Sequence, residues 1–302
     1  MRTEIFKKIL VPLDGSGEGK SVLPYVRDLA QRFDATIYII GVGIGSKRRR
    51  VNYLLKEYIN EISEELRGEK ISAQPVMNYG VPADEIITCA EKNNIDLIAM
   101  ATHGRGGISR WWVGSVAERV ICESTIPVLL VRSKYIDETE AIRKATIKTI
   151  IAPLDGSDVG ESALINARAI ASKTGASIYL LHIITPPAGI EVNLFGSDLK
   201  GIIKAMNNTA ENYLSGIAED LKNKGIPTKS KVMEGDPANT IVEEAKKHQD
   251  CIIAMSTHGR SGIARWILGS VADKVLHEAT IPIWLVRSPK MIIERHKNRT
   301  KI

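Results

Sequence analysis

Two short constellations in this 302-residue chain combine residue types and spacing suited to holding a phosphorylated ligand. The first is Pro12-Leu13-Asp14-Gly15-Ser16, which recurs as Pro153-Leu154-Asp155-Gly156-Ser157. It follows the apolar run Ile9-Leu10-Val11, so the aspartate stands where a strand gives way to a turn. A carboxylate there can accept hydrogen bonds from ribose hydroxyls or help seat a base. It can equally cap the helix that follows, and the turn signature leaves both readings open. The second constellation is Gly104-Arg105, with nine residues separating Gly104 from Gly114-Ser115, and it recurs as Gly259-Arg260 and Gly269-Ser270. A Gly-Ser pair opening a helix presents backbone N–H groups to an anion with no side chain in the way. Ser115 and Ser270 add a hydroxyl donor, and Arg105 and Arg260 add charge.

The elements that must position these groups alternate in type. Phe6–Val11, Ala35–Val42, Ile71–Met77, Ile95–Ala101 and Ile126–Val131 read as strands. Between them, Val22–Phe33, Val51–Leu66, Pro82–Lys92 and Gly114–Glu123 read as helices, the first capped by Ser16. The second half repeats the order. Its strands are Ile147–Ala152, Ala176–Ile183, Lys229–Met233, Cys251–Met255 and Ile281–Val286. Its helices are Ser162–Ala171, Met206–Lys222, Pro237–Lys247 and Leu268–Glu278. Near-continuous apolar strands alternating with helices predict a parallel sheet covered on both faces, an α/β fold. Ligands of such a sheet bind beyond the carboxyl ends of the strands, where both constellations fall.

The two halves are copies. Thr102–Ser133 and Thr257–Ser288 align without gaps at an offset of 155 and share 21 of 32 residues, whereas the Asp-Gly-Ser openings are offset by 141. The second copy therefore carries a 14-residue insertion, placed around Pro186–Lys204, just after Ile183. Two copies of this length mean two domains of one fold rather than a solenoid. The boundaries fall at 1–134 and 146–289, with a polar linker over 135–145 and a basic tail over 290–302.

Composition narrows the class further. A hydrophobic share of 44% with 25% charged residues suits a water-soluble globular chain rather than a disordered one. No apolar run approaches the ~18–20 residues that cross a bilayer, so no membrane partner is expected, and the start of the chain lacks a signal-peptide pattern. Cys89, Cys122 and Cys251 form no CxxC pair, and the reading is reduced and cytoplasmic. The net charge of +6 is concentrated in Lys47-Arg48-Arg49-Arg50 and the tail. Without a zinc-finger, helix-turn-helix or RNP-type pattern, these runs argue for solvated segments over nucleic acid. No ligand cluster for a metal is evident. His103 and His258 read as structural or phosphate-contacting rather than as general bases. Trp111, Trp112 and Trp266 read as packing or interface residues rather than base-stacking ones, and Cys89 and Cys122 as small core residues.

Taken together, the motifs of each half resemble the universal stress protein family. Its ATP-binding members carry G-x2-G-x9-G-[ST] and an aspartate after the first strand. Here the pattern reads Ala101-Thr102-His103-Gly104, nine residues, Gly114-Ser115, and Ser256-Thr257-His258-Gly259, nine residues, Gly269-Ser270, so the first glycine is Ala101 or Ser256. The resemblance covers about Lys8–Arg132 and Lys148–Arg287. It implies two Rossmann-like open parallel five-stranded sheets flanked by helices. It further implies that Ile126–Val131 and Ile281–Val286 pair with each other, giving an intramolecular pseudo-dimer, with homodimerisation of whole chains expected beyond that. Base and ribose contacts are implied for Pro12, Leu13, Asp14 and the Val42 backbone, and phosphate contacts for Gly104, Arg105, Gly114, Ser115 and Val116. The second site is implied to use Pro153, Leu154, Asp155, Ile183, Gly259, Arg260, Gly269, Ser270 and Val271. The implied ligand is ATP, or ADP or AMP, with Mg2+ accompanying it.

The leading expectation is thus a stress-response module that binds an adenine nucleotide in each domain and works through conformation and partner contacts. A weak ATPase or nucleotidyl-transfer enzyme is the alternative, but the chain has no Walker lysine and no Ser-Gly-Gly-x-Asp-Ser loop. A nucleotide-free interaction protein is the second alternative. Retention of Asp, Gly and Gly-Ser in both halves speaks against it, and the two replaced glycines speak for it.

Overall fold

The computed structural model describes residues 6–43, 45, 49–102, 113–133, 145–185, 198–257 and 268–287. The chain divides into two compact units. The first runs through Thr146 and takes in Thr280–Arg287, while the second starts at Ile147 and takes in Leu268–Ala279.

In the first unit, β1 (Lys8–Pro12), β2 (Thr36–Gly43), β3 (Ala73–Tyr79), β4 (Leu97–Ala101) and β5 (Val128–Val131) form a parallel sheet in the order β3-β2-β1-β4-β5. The β1 residues Ile9, Leu10 and Val11 are fully buried on both faces, which is why this strand reads as a continuous apolar run. Helices α1 (Leu23–Phe33), α2 (Arg49–Gly68), α3 (Pro82–Lys92) and α4 (Ser115–Glu123) connect the strands. Along α2, Leu55, Ile59, Ile62 and Leu66 recur three or four apart and turn one stripe to the sheet. A last strand, β10 (Ile283–Val286), comes from the far end of the chain and pairs antiparallel with β5, Trp284 opposite Leu129. The expected pairing of the two terminal strands is therefore present, and it lies within the first unit. Trp284 is fully buried, and its ring meets that of Phe6 at 5.0 Å between centroids; Phe6 in turn meets Phe33 at 5.2 Å.

In the second unit β6 (Thr149–Pro153), β7 (Ser177–Ile184), β8 (Thr228–Glu234) and β9 (Cys251–Ser256) run parallel in the order β9-β6-β7-β8. Helices α5 (Asp158–Thr174), α6 (Asp198–Asn223), α7 (Pro237–Lys246) and α8 (Ser270–Glu278) connect them. Two helices are longer than expected. The α5 helix begins at Asp158 rather than Ser162, because Ser157 accepts the Gly160 amide and caps a turn of polar and small residues. The α6 helix begins at Asp198, so residues 198–204 of the expected insertion extend a helix; residues 186–197 lie outside the described chain. The Ser16 cap is also revised. The chain enters α1 through a 3₁₀ turn, Glu18–Val22, capped by Gly17, with Ser16 Oγ accepting the Gly19 amide at 3.2 Å. Of the linker, residues 134–144 fall outside the described chain, as does the tail. Among the described residues no helix is long and apolar enough to cross a membrane.

One ion-pair position is shared by the two units and one network is not. Fully buried Arg27 on α1 pairs with Glu65 and Glu69 of α2, and Arg168 on α5 pairs with Asp220 of α6 at 2.6 Å. In the second unit alone, Glu244 on α7, 4% exposed, accepts hydrogen bonds from Tyr179 (2.9 Å), Lys231 (3.3 Å) and Lys247 (2.7 Å). Burial by itself would raise its pKa, but the bonds from Lys247, Tyr179 and Lys231 outweigh it and hold the carboxyl at about 2. Burial and the bond to Glu244 push the Tyr179 hydroxyl up. A carboxyl held below its unfolded value of ~4.3 stabilises the fold fully above that pH and loses its contribution as pH falls toward 2. Glu244→Gln is therefore expected to lower stability at pH 7 by roughly 1–3 kcal/mol. The gap to the parent should close between pH 5 and pH 2 in denaturant titrations, and a gap independent of pH would contradict the assignment.

Candidate functional site

The site begins with the way each unit's first strand ends. Leu13 and Leu154 continue the ladder one residue past β1 and β6, their amides donating to Ile40 O (2.9 Å) and Leu181 O (2.8 Å). The chain then reverses through Gly15 and Gly156, at φ 82° and 81°, a left-handed conformation that favours glycine. The reversal folds the aspartate back onto the serine two residues on. Asp14 Oδ1 accepts the Ser16 amide at 3.0 Å and its hydroxyl at 2.6 Å, and Asp155 Oδ1 accepts from Ser157 at the same two distances. Each serine oxygen then accepts the amide three residues further, from Gly19 (3.2 Å) or Gly160 (3.0 Å). These bonds settle how the aspartate bears on the helix start. It does not cap the helix itself; it fixes the serine whose oxygen accepts the Gly19 or Gly160 amide.

Gly160 shows how tightly this turn closes. A Cβ built there would stand 2.5 Å from Asp155 Oδ1, closer than side-chain carbons pack, whereas at Gly19 the corresponding distance to Asp14 Oδ1 is 3.5 Å. The requirement was legible as Asp-Gly-Ser-x-x-Gly, a pattern that both halves contain.

In the second unit these residues form one wall of a cavity of about 320 Å³. Pro153, Leu154, Asp155 and Gly160 line it from the β6 turn, Ile183 from β7, and Met255, Ser256 and Thr257 from the end of β9. Pro237 and Ile241 of α7 close the side, and Gly269, Ser270, Val271 and Ala272 form the start of α8. The structure therefore brings together seven of the nine residues expected for the second site. Gly259 and Arg260 lie outside the described chain, as do Gly104, Arg105, His103, His258, Trp111, Trp112 and Trp266. Pro237, Ile241 and Met255 were missed, since nothing local marks a helix or strand residue as a cavity wall. At the matching positions of the first half every lining residue has the same type except two, Val42 for Ile183 and Ala101 for Ser256.

The helix start supplies the electrostatics. Gly269 N–H donates to Thr257 O at 2.9 Å and Gly114 N–H to Thr102 O at 2.8 Å, tying each helix back to the preceding strand. The first intrahelical bonds are Asp273 N to Gly269 O and Glu118 N to Gly114 O, both 2.9 Å, and no side chain caps either helix. The amides of Ser270, Val271 and Ala272, and of Ser115, Val116 and Ala117, thus have no helix carbonyl to bind and form the positive end of the helix dipole. Asp155 is the one charged side chain among the described lining residues. The site so joins a fixed carboxylate to an amide cradle across a mostly apolar floor. Ala101 and Ser256, at the motif's first position, end β4 and β9 and do not have positive φ, so the small side chains there impose no backbone strain. Among the described residues no cluster of three His, Cys, Asp or Glu could hold a metal.

Comparison with known proteins agrees with this architecture. The Universal stress protein family matches the chain twice, over residues 5–132 and 146–287. A universal stress protein of Methanocaldococcus jannaschii is 32% identical over 166 residues, 54% of this chain and 96% of that protein. One from Mycobacterium bovis is 24% identical over 218 residues, 72% of this chain and 70% of that protein. The crystal structure of a universal stress protein from Archaeoglobus fulgidus superposes with a TM-score of 0.69 at 21% identity, covering 93% of this chain and 98% of its own. With two matches that together span most of its length, the chain belongs to the universal stress protein family, as a tandem member with two such domains.

Proposed function

We propose that each unit binds one adenine nucleotide and that the protein works as a nucleotide-dependent regulatory or interaction module, functioning as a homodimer in a cytoplasmic stress response. The observation that carries this reading is the pairing, on one cavity of the second unit, of a carboxylate locked by its own turn with a helix start that offers three amides. A carboxylate acceptor suits ribose hydroxyls, and an uncapped helix start suits phosphate. The apolar floor of Leu154, Ile183, Ile241 and Met255 suits a base. Pro12, Leu13, Asp14, Val42, Gly114, Ser115 and Val116 take the same roles in the first unit, with Arg105 and Arg260 adding positive charge toward the phosphates. ATP, ADP and AMP all satisfy this chemistry, and any Mg2+ arrives with the nucleotide's own phosphates.

Gly114→Val and Gly269→Val are each expected to abolish one site and leave the fold intact. Both glycines have ordinary extended backbone, φ −64° and −61°, which valine adopts, but a branched side chain would enter the space before the amides. Calorimetric titration with ATP should show stoichiometry falling from about two to about one per chain in each variant. Unchanged stoichiometry in both would refute the assignment.

The tighter turn of the second unit yields a differential test. Gly160→Ala forces Asp155 Oδ1 away and should weaken binding at the second site about tenfold or more, whereas Gly19→Ala should have a smaller effect on the first. Titrations of each alanine variant in the background of the other site's valine variant measure the two affinities separately, and equal losses would count against a carboxylate role in binding.

A further inference from the structure

The outer face of α2 in the first unit is the surface for which the fold gives no account. Val51, Tyr53 and Leu54 are 43%, 61% and 56% exposed, next to exposed Arg49 and Arg50. Tyr79, at the end of β3, is itself 61% exposed, and its ring and buried Asn52 both stand against Gly43, where a Cβ would meet each at 2.8 Å. Several large apolar side chains gathered on one exposed face mark an interaction surface rather than scattered surface hydrophobics.

The duplicated unit serves as an internal control. Its helix α6 keeps the buried stripe, with Ala210, Leu214, Ala218 and Leu221 standing where α2 has Leu55, Ile59, Ser63 and Leu66. Yet the positions of Tyr53 and Leu54 are occupied by Asn208 and Thr209, and that of Tyr79 by Glu234. The fold therefore does not need apolar residues there, and the first unit has acquired them for another reason.

Charge identifies the occupant. Arg50, the pair Tyr53-Leu54, Glu57 and Glu61 follow one another at three- or four-residue spacing and form one exposed stripe opposite the buried one. The stripe is basic at its amino-terminal end, apolar in the middle and acidic beyond. Two arginines in a first turn that has no acidic residue oppose the helix dipole, a local conflict with no compensation inside the unit's own helix. Turned antiparallel onto itself, the same stripe sets each arginine against a glutamate and the apolar centres against each other. That is the self-complementarity of a twofold interface, with tyrosine and leucine at its centre and charges at its rim.

We propose that this stripe of α2 joins two copies of the chain antiparallel, Arg50 of each copy facing Glu57 of the other. The inference rests on the homodimer reading above and assigns it a surface. Each arginine then finds its anion in the other copy, which also brings acidic groups to the basic start of the helix.

Sedimentation velocity of the full chain over a concentration series tests this. The wild type should show a monomer–dimer equilibrium, and Tyr53→Asn with Leu54→Thr, the residues that the second unit carries at these positions, should weaken it at least about tenfold. Arg50→Glu and Glu57→Arg should each weaken it similarly by placing like charges together, whereas an equimolar mixture of the two should form heterodimers with about wild-type affinity, because both cross-pairs are restored. All these positions are exposed, and unchanged far-UV circular dichroism would confirm folding. A wild type that stays monomeric overturns both this inference and the homodimer reading. A dimer that survives the Asn/Thr variant overturns only the surface, and failure of the mixture to recover overturns the antiparallel register.

Discussion

The carboxylate at the end of the first strand of each unit is the constraint around which the site is arranged. Asp14 and Asp155 each accept two hydrogen bonds from the serine two residues on, and that serine accepts the amide three residues further. A left-handed glycine makes the reversal and a second glycine clears the space for the carboxylate. The strand end, the turn and the following helix are thereby locked into one rigid piece. A carboxylate immobilised this way, as Asp155 is on the wall of the cavity, meets a ligand at little entropic cost, which is what pre-organisation requires.

The second half of the site depends on a similar tie. Gly114 and Gly269 donate back to Thr102 and Thr257, so the amino terminus of α4 or α8 is anchored to the end of the strand before it. The Thr102 hydroxyl further bonds Ser133, its oxygen accepting the Ser133 amide at 2.9 Å. The amide cradle is thus tied directly to the sheet. Carboxylate and cradle reach the cavity from sequence positions more than a hundred residues apart, joined through neighbouring strands β6 and β9.

Duplication has conserved the site and let its surroundings drift. The cavity lining differs between halves at two positions, yet the ion pairs beneath the helices have been rewritten. Arg27 meets two glutamates, whereas Arg168 meets Asp220, and Lys224 stands where Glu69 stood and bonds the same aspartate at 2.7 Å. Buried Glu244 with its tyrosine and lysine partners occupies the position of buried Cys89. Arg27 is fully buried and met by two glutamates, whereas Arg168 is one-third exposed, bonds Asp220, and has no hydrogen-bond partner for its Nε among the described residues. Drift of the same kind on the outer face of α2 separated a polar surface in one unit from an apolar, charge-segregated one in the other.

The sequence by itself determined the duplication, the order of strands and helices, the Asp-Gly-Ser turn and the Gly-Ser helix start. All of these rest on local periods and on residues whose backbone preferences act within a few positions. It could not place Pro237, Ile241 or Met255 on the cavity, because those contacts arise from parallel crossovers between distant segments. The 3₁₀ entry into α1 escaped it for the opposite reason. The residues of the 3₁₀ turn, Glu-Gly-Lys-Ser-Val, are mostly polar or small and carry no apolar period, whereas in α6 Leu199, Ile202, Ile203 and Met206 do recur at helical spacing and the expectation passed over them. Tertiary structure alone decided the register in which β10 lies beside β5. An apolar edge strand states that it must be paired, and only the assembled sheet supplies the register, Trp284 against Leu129.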